Sequence, residues 1–201
     1  MDSVSILVQL AVNGLLKGGV YALLAVGLTI TYGVVKLVNF AHGEFIMLAM
    51  YATFFLFSSH GINPFWGLLI VVPVFFLVGQ LSYRLVFGRL VETGVFAQVF
   101  TTAGLSLVLQ NAALMAWRGE PRMVTMPELS KVISVGPLNA SFVEVIGFAF
   151  AAVLMIALFA FFKYTYTGKA INAVVEERRG AMLVGLNVKA LYQLALGIGF
   201  A

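Results

Sequence analysis

The chain has 201 residues, 62% of them hydrophobic and 10% charged, with a formal net charge of +4 and no cysteine; its mean hydropathy is +1.04. Soluble domains are roughly half apolar and about a quarter charged, so the composition excludes an ordinary soluble domain, and the lack of cysteine excludes disulfide scaffolds, thiolate metal sites and cysteine nucleophiles. In a bilayer protein Lys and Arg collect on the cytoplasmic side, so the positive balance is a topology signal and gives no reason to expect nucleic-acid binding.

In chain order, residues 1–5 carry Asp2 and no Lys or Arg, and no small-residue cleavage site follows a short apolar run, so no cleaved signal peptide is predicted. About 20 largely apolar residues cross a bilayer as a helix. The first such stretch, residues 18–35, is bracketed by Lys17 and Lys36; the shorter piece before it, 5–16, either extends that helix outward or lies apart at the interface. The second span is predicted over 40–58. A third covers 64–83, where Asn63 and Pro64 suit the cap and first helical position and Pro73 predicts a kink. A fourth, 94–117, is uncharged, and a fifth covers 145–162. A sixth begins near Ala190 and is cut off at Ala201, too short for a core of roughly 30 Å at about 1.5 Å per residue. The expected fold is all-α: a polytopic transmembrane helical bundle with five complete spans plus the start of a sixth. Residues 1–201 would form one transmembrane domain, a C-terminally truncated piece of a longer one.

With the N-terminus outside, the inner segments hold Lys36, Arg84, Arg89, Lys163, Lys169, Arg178, Arg179 and Lys189, and the outer ones Arg118, Arg122 and Lys131. Eight against three orients the chain that way and makes 163–189 cytoplasmic.

Asn39-Phe40-Ala41-His42-Gly43-Glu44 puts polar side chains at the inner start of the second span. Structurally, Asn39 would cap the helix and Glu44 would sit at its positive end. Functionally, an ionisable group in a span points to transport. His42 and Glu44, two apart on a helix, do not converge on one metal ion. Gln98, Thr102, Ser106 and Gln110 recur every four residues, a stripe widened by Thr101 and Asn111 that serves either helix packing or a translocation path. Gly14 and Gly18 are spaced as in close-packed helix pairs. In 163–189, Ala170, Val174, Ala181, Leu183 and Val184 make an amphipathic pattern beside the charges of 176–179, with Gly180 weakening the helix and Gly185-Leu186-Asn187 supplying a turn. Such an element fits a partner's groove; the plainer reading is a positive-inside connector.

These residues carry a resemblance. Tyr21-Ala22-Leu23, Gly27-Leu28-Thr29, Tyr32-Gly33 and the block Asn39, Phe40, Ala41, His42, Gly43, Glu44 resemble permeases of branched-chain amino-acid ABC importers, specifically the paralogue with the Asn-Phe-Ala-His-Gly-Glu form. Gly104-Leu105-Ser106, Leu109-Gln110-Asn111, Gly168-Lys169-Ala170 and Gly185-Leu186-Asn187 match further family blocks in the same order. The resemblance implies a coupling element around Glu176, Glu177, Ala181, Gly185 and Asn187 that docks on an ATPase. It also implies a second permease subunit, cytoplasmic ATP-binding subunits, an extracytoplasmic solute-binding protein and a place in the bacterial inner membrane. No Gly-x-x-x-x-Gly-Lys-Ser/Thr loop and no Gly-x-Ser-x-Gly elbow occurs, so ATP hydrolysis is expected from a partner and no catalytic, cofactor or metal site in this chain. The alternative is a secondary transporter or channel using Glu44 as its intramembrane carboxylate.

Overall fold

A computed structural model of the chain describes residues 3–126, 131–135 and 138–201. Asp2, used above to argue against a signal peptide, lies outside the described residues. The elements are α1 (Ser3–Val35), α2 (His42–His60), α3 (Pro64–Ser82) running through a π-helical turn (Tyr83–Phe87) into α4 (Gly88–Leu90), α5 (Val95–Trp117), strands β1 (Val132–Val135) and β2 (Leu138–Ser141), α6 (Phe142–Tyr164), α7 (Tyr166–Glu176), α8 (Arg178–Leu183) and α9 (Val188–Phe200). Among the described residues, four helices are long and apolar enough to cross a membrane: Val4–Val35, Pro64–Leu90, Val95–Trp117 and Phe142–Tyr164. α2, with Glu44 in its first turn and a histidine at each end, is not one of them, and α9 is a shorter apolar helix.

The chain divides into two compact units, one of residues up to Val26 with Thr125–Lys163, the other of Gly27–Val124 with Tyr164–Ala201. In the first, α1 continues without a break through residues 5–16, which settles the alternative left open by the sequence in favour of an extended helix. α6 runs parallel to α1: Lys17 Nζ pairs with Glu144 at 3.6 Å, and a Cβ on Gly19 or Gly147 would meet Phe148 or Val20. Gly14 and Gly18, spaced for close helix packing, have open space around them instead: among the described residues nothing lies within 4 Å of a Cβ built on either. The segment expected only as an outer loop contains an antiparallel ribbon with register Val132↔Ser141 to Val135↔Leu138. Gln9 holds it, its Oε1 accepting from Asn139 N at 2.7 Å. The ribbon is a small addition to a chain that is otherwise helical, as expected.

The second unit is organised around α9, which lies antiparallel to α3. A Cβ on Gly79 would stand 2.6 Å from Leu196 O, and Tyr83 meets Tyr192 edge-on at 6.5 Å. α1 approaches the far end of α9 equally closely, a Cβ on Gly27 coming 2.6 Å from Gly199 O. Phe200 then packs on Phe45 and Phe87, and Leu37, Phe87, Ile171 and Leu196 are fully buried. Asn63 Oδ1 accepts from Phe65 N at 3.0 Å ahead of Pro64, as the sequence predicts, and α5 begins at Val95, one residue inside the expected 94–117.

Candidate translocation site

The segment expected to open a second span does not begin as a helix. α1 ends where Lys36 takes a left-handed φ of 53° while its N–H still donates to Tyr32 O at 2.8 Å. A residue with a Cβ pays roughly 1–2 kcal/mol for that conformation, which turns the chain out of the helix. Residues 36–41 then continue without regular structure up to His42. Irregular backbone at membrane depth is tolerated only when its polar groups are met by protein or water, and protein meets them here. Val38 N donates to Gln98 Oε1 at 3.4 Å, and Thr102 Oγ1 donates to Val38 O at 3.2 Å. Leu37 and Ala41 are fully buried.

Asn39 does not cap α2, as its place before the helix suggests. Its Oδ1 accepts from Ala41 N at 3.1 Å, a turn two residues long, so the helix starts one turn later, with Ala41 at its cap position and no side-chain cap. Among the described residues nothing lies within hydrogen-bonding reach of its buried Nδ2. His42 is buried, edge-on to Phe200 at 5.7 Å, while Gly43 is exposed.

The α5 stripe divides in two. Gln98 and Thr102 are buried: Gln98 Nε2 donates to Leu90 O at 3.1 Å, and Thr102 Oγ1 to Gln98 O at 2.8 Å. They fasten the irregular connection. Ser106 and Gln110 meet Glu44: Ser106 Oγ donates to Glu44 Oε1 at 3.0 Å and Gln110 Nε2 to the same oxygen at 2.6 Å. Of the widening residues, Thr101 is exposed and Asn111 Nδ2 turns back to Leu107 O at 2.7 Å. The sequence left the stripe and Glu44 as separate features 62 and 66 residues apart; the fold joins them.

Depth follows from helix geometry. Ser106 lies 11 residues from either end of α5, about 16 Å at 1.5 Å per residue, which is the middle of a membrane-length helix. Seven residues beyond Glu44, Tyr51 stacks on Trp117 at 4.3 Å, seven beyond Gln110, so α2 and α5 run parallel. A carboxylate at such a depth costs about 2.5–3.5 kcal/mol by insertion scales. Towards the C-terminal end of α2, on the same face, stand Met47, Tyr51 and Phe54, which with Met50, Thr53, residues 119–122 and Val124 line a cavity of about 540 Å³. Arg122 sits at its rim, 5.5 Å from the Phe54 ring and 5.4 Å from that of Phe55. Sequence reasoning missed this cavity; its signal is the 44, 47, 51, 54 spacing, one stripe of a helix.

At the other end of this unit, α7 buries Ala170, Ile171 and Val174. The chain breaks at the extended Glu177, whose side chain accepts from Arg179 N at 3.1 Å to start α8 with Gly180 inside it. Glu176 closes α7, and Asn187 caps α9 by accepting from Ala190 N at 3.1 Å. Ala181 and Gly185 do not share a helical face as their spacing predicts. α8 stops at Leu183, because Gly185 takes φ 84°, which only glycine adopts freely. Ala181 is buried within the chain, and the exposed large apolar side chains are Met182, Leu183 and Val184, beside the exposed charges of 176–179. Arg178 pairs with Glu92 at 3.3 Å.

A family model described as the permease component of branched-chain amino acid transport systems matches residues 10–199. Among curated relatives, the high-affinity branched-chain amino acid transport system permease protein BraD of Pseudomonas aeruginosa is 28% identical over 211 residues, covering 96% of this chain and 67% of its own length. The corresponding LivH of Salmonella typhimurium is 30% identical over 207 residues, 94% of this chain and 65% of its own. A probable LivH of Methanocaldococcus jannaschii is 24% identical over 182 residues, 88% and 58%. The chain thus spans about two thirds or less of the length of these relatives. No solved structure matches it.

Proposed function

The chain belongs to the family of permease components of branched-chain amino acid transport systems, and from that membership we propose that it is the membrane subunit of an ATP-driven importer of branched-chain or related small amino acids. The observation that carries the reading is the family match over nearly the whole chain, residues 10–199. A P-loop is absent from the sequence, so ATP hydrolysis falls to separate cytoplasmic ATP-binding subunits. A second permease subunit would complete the pore and an extracytoplasmic solute-binding protein would deliver the amino acid. The membrane is the inner one, with the N-terminus outside, as eight inner against three outer cations favour.

Five spans and the start of a sixth remain our count. Segment 36–41 and α2 together make the second, broken where its backbone is fastened to α5, and α9 begins the sixth. The segment holding Glu176, Glu177, Ala181, Gly185 and Asn187 would couple to the ATPase through the apolar tip Met182, Leu183 and Val184. Its movement would rock the membrane helices between inward and outward openings. Among the described residues no separate observation favours the secondary transporter driven through Glu44.

The test is retention of the ATP-binding subunit by the complete permease, with ATP hydrolysis stimulated by loaded binding protein. Leu183 is 88% exposed; burying a leucine contributes about 1.5–3 kcal/mol, so Leu183→Glu should weaken retention roughly 10- to 150-fold with insertion unchanged. Full retention by the variant removes the docking tip, and no retention by the wild type removes the ATP-driven mechanism.

A further inference from the structure

Glu44 is a carboxylate in the first turn of α2, set beside the middle of membrane-length α5, only partly buried, and held by two neutral donors on a single oxygen. Among the described residues the ion pairs of lysine and arginine are Lys17 with Glu144 and Arg178 with Glu92, so neither Lys nor Arg neutralises it. Gln110, on the same face, is exposed. Turned to hydrocarbon, this face would carry an unneutralised charge and an open amide at the most costly depth; turned to a watery passage, it would not. The cavity just outward supports the second orientation. Met47, Met50, Tyr51 and Phe54 form its apolar wall, Thr53, Glu120 and Arg122 are its polar lining, and about 540 Å³ lies within the range of small-ligand pockets.

We propose that Glu44, with Ser106 and Gln110, is a transit subsite for the ammonium group of an aliphatic amino acid, the side chain passing along Met47, Met50, Tyr51 and Phe54. The proposal rests on the importer reading above. The chemistry is complementary: a zwitterionic amino acid brings one cation and an apolar branch, and the face offers one uncompensated anion beside an apolar wall. Ser106 and Gln110 orient the carboxylate without discharging it, so an ammonium group can be accepted and released. A resident Lys or Arg would hold the charge permanently.

Because the chain has no cysteine, Ser106→Cys places a single thiol in it beside the carboxylate. In the complete permease, assembled with its partners, a cationic methanethiosulfonate should label this thiol about tenfold faster than an anionic one, since the carboxylate attracts one reagent and repels the other. Leucine should slow the cationic reaction, and its 2-hydroxy analogue, which lacks the ammonium group, should not. Glu44→Gln in the same background should abolish the charge preference and the leucine protection. Gln110→Cys supplies a second site should Ser106→Cys assemble poorly. No labelling by either reagent would mean that the face is sealed or lipid-covered, and equal rates would mean no ammonium subsite; either outcome overturns the proposal. Retention of the ATP-binding subunit in the same preparation separates the two readings: retention with charge-blind labelling removes the subsite alone, whereas loss of retention removes the importer.

Discussion

Thr102 shows how one hydroxyl holds a transmembrane break in place. It is fully buried and its Oγ1 faces three carbonyls, Val38 O on the irregular segment and Gln98 O and Val99 O on its own helix. Valine has nearly the same shape and cannot donate. Thr102→Val should therefore leave Val38 O unsatisfied in a buried setting, at about 1–3 kcal/mol, and lower the thermal midpoint of the purified complex. Thr102→Ser keeps the donor and should recover most of that loss. If valine and serine behave alike, volume and not the hydrogen bond fastens the break. The stripe was visible in the sequence as four polar residues at helical spacing. Its division into fastening and liganding halves was not, because that depends on which segment lies opposite each turn.

At the scale of elements, the sequence located helices where apolar length and capping chemistry agree. α3 begins at Pro64 behind Asn63, as expected, and α5 covers 95–117 where 94–117 was expected. It placed the second span's start two residues early, at Phe40, because Phe40-Ala41 is as apolar as the helix that follows, and hydropathy does not separate buried irregular chain from buried helix. It also missed where helices touch, since Gly14 and Gly18 have the spacing of a contact and no neighbour, whereas Gly79 and Gly27 meet the α9 backbone. The two classes of glycine should respond to alanine with opposite signs. Gly14→Ala enters open space and gains the helix preference of alanine, about 0.5–1 kcal/mol. Gly79→Ala sets a methyl 2.6 Å from Leu196 O, backbone that moves only with α9, and overpacking of this kind costs typically 1–3 kcal/mol. Thermal unfolding of the two variants in one detergent is the comparison; a Gly79→Ala protein as stable as Gly14→Ala would mean that α9 is not held against α3.

For the whole molecule, orientation is the property the sequence speaks to most directly, because it depends on charge counts over short loops and not on packing. Assigning the cations to alternate sides gives eight inside and three outside, with Lys17 left at the outer end of the first span; counting it outside gives four, and the asymmetry survives. The irregular approach to α2 constrains where that helix runs. The irregular segment 36–41 is fastened to the first two turns of α5 through Gln98 and Thr102, so α2 can leave the membrane only on the side where α5 ends. Ser59 and the segment after Trp117 must therefore report together. Reporter fusions at the N-terminus, Ser59 and Met126 should read outside and those at Gly88 and Glu177 inside. An inside reading at Ser59 with an outside reading at Met126 would break the parallel pairing of α2 with α5, and with it the site built on Glu44. A uniform reversal of all five would leave that pairing intact and overturn only the orientation, placing α8 and its apolar tip on the wrong side to meet an ATPase.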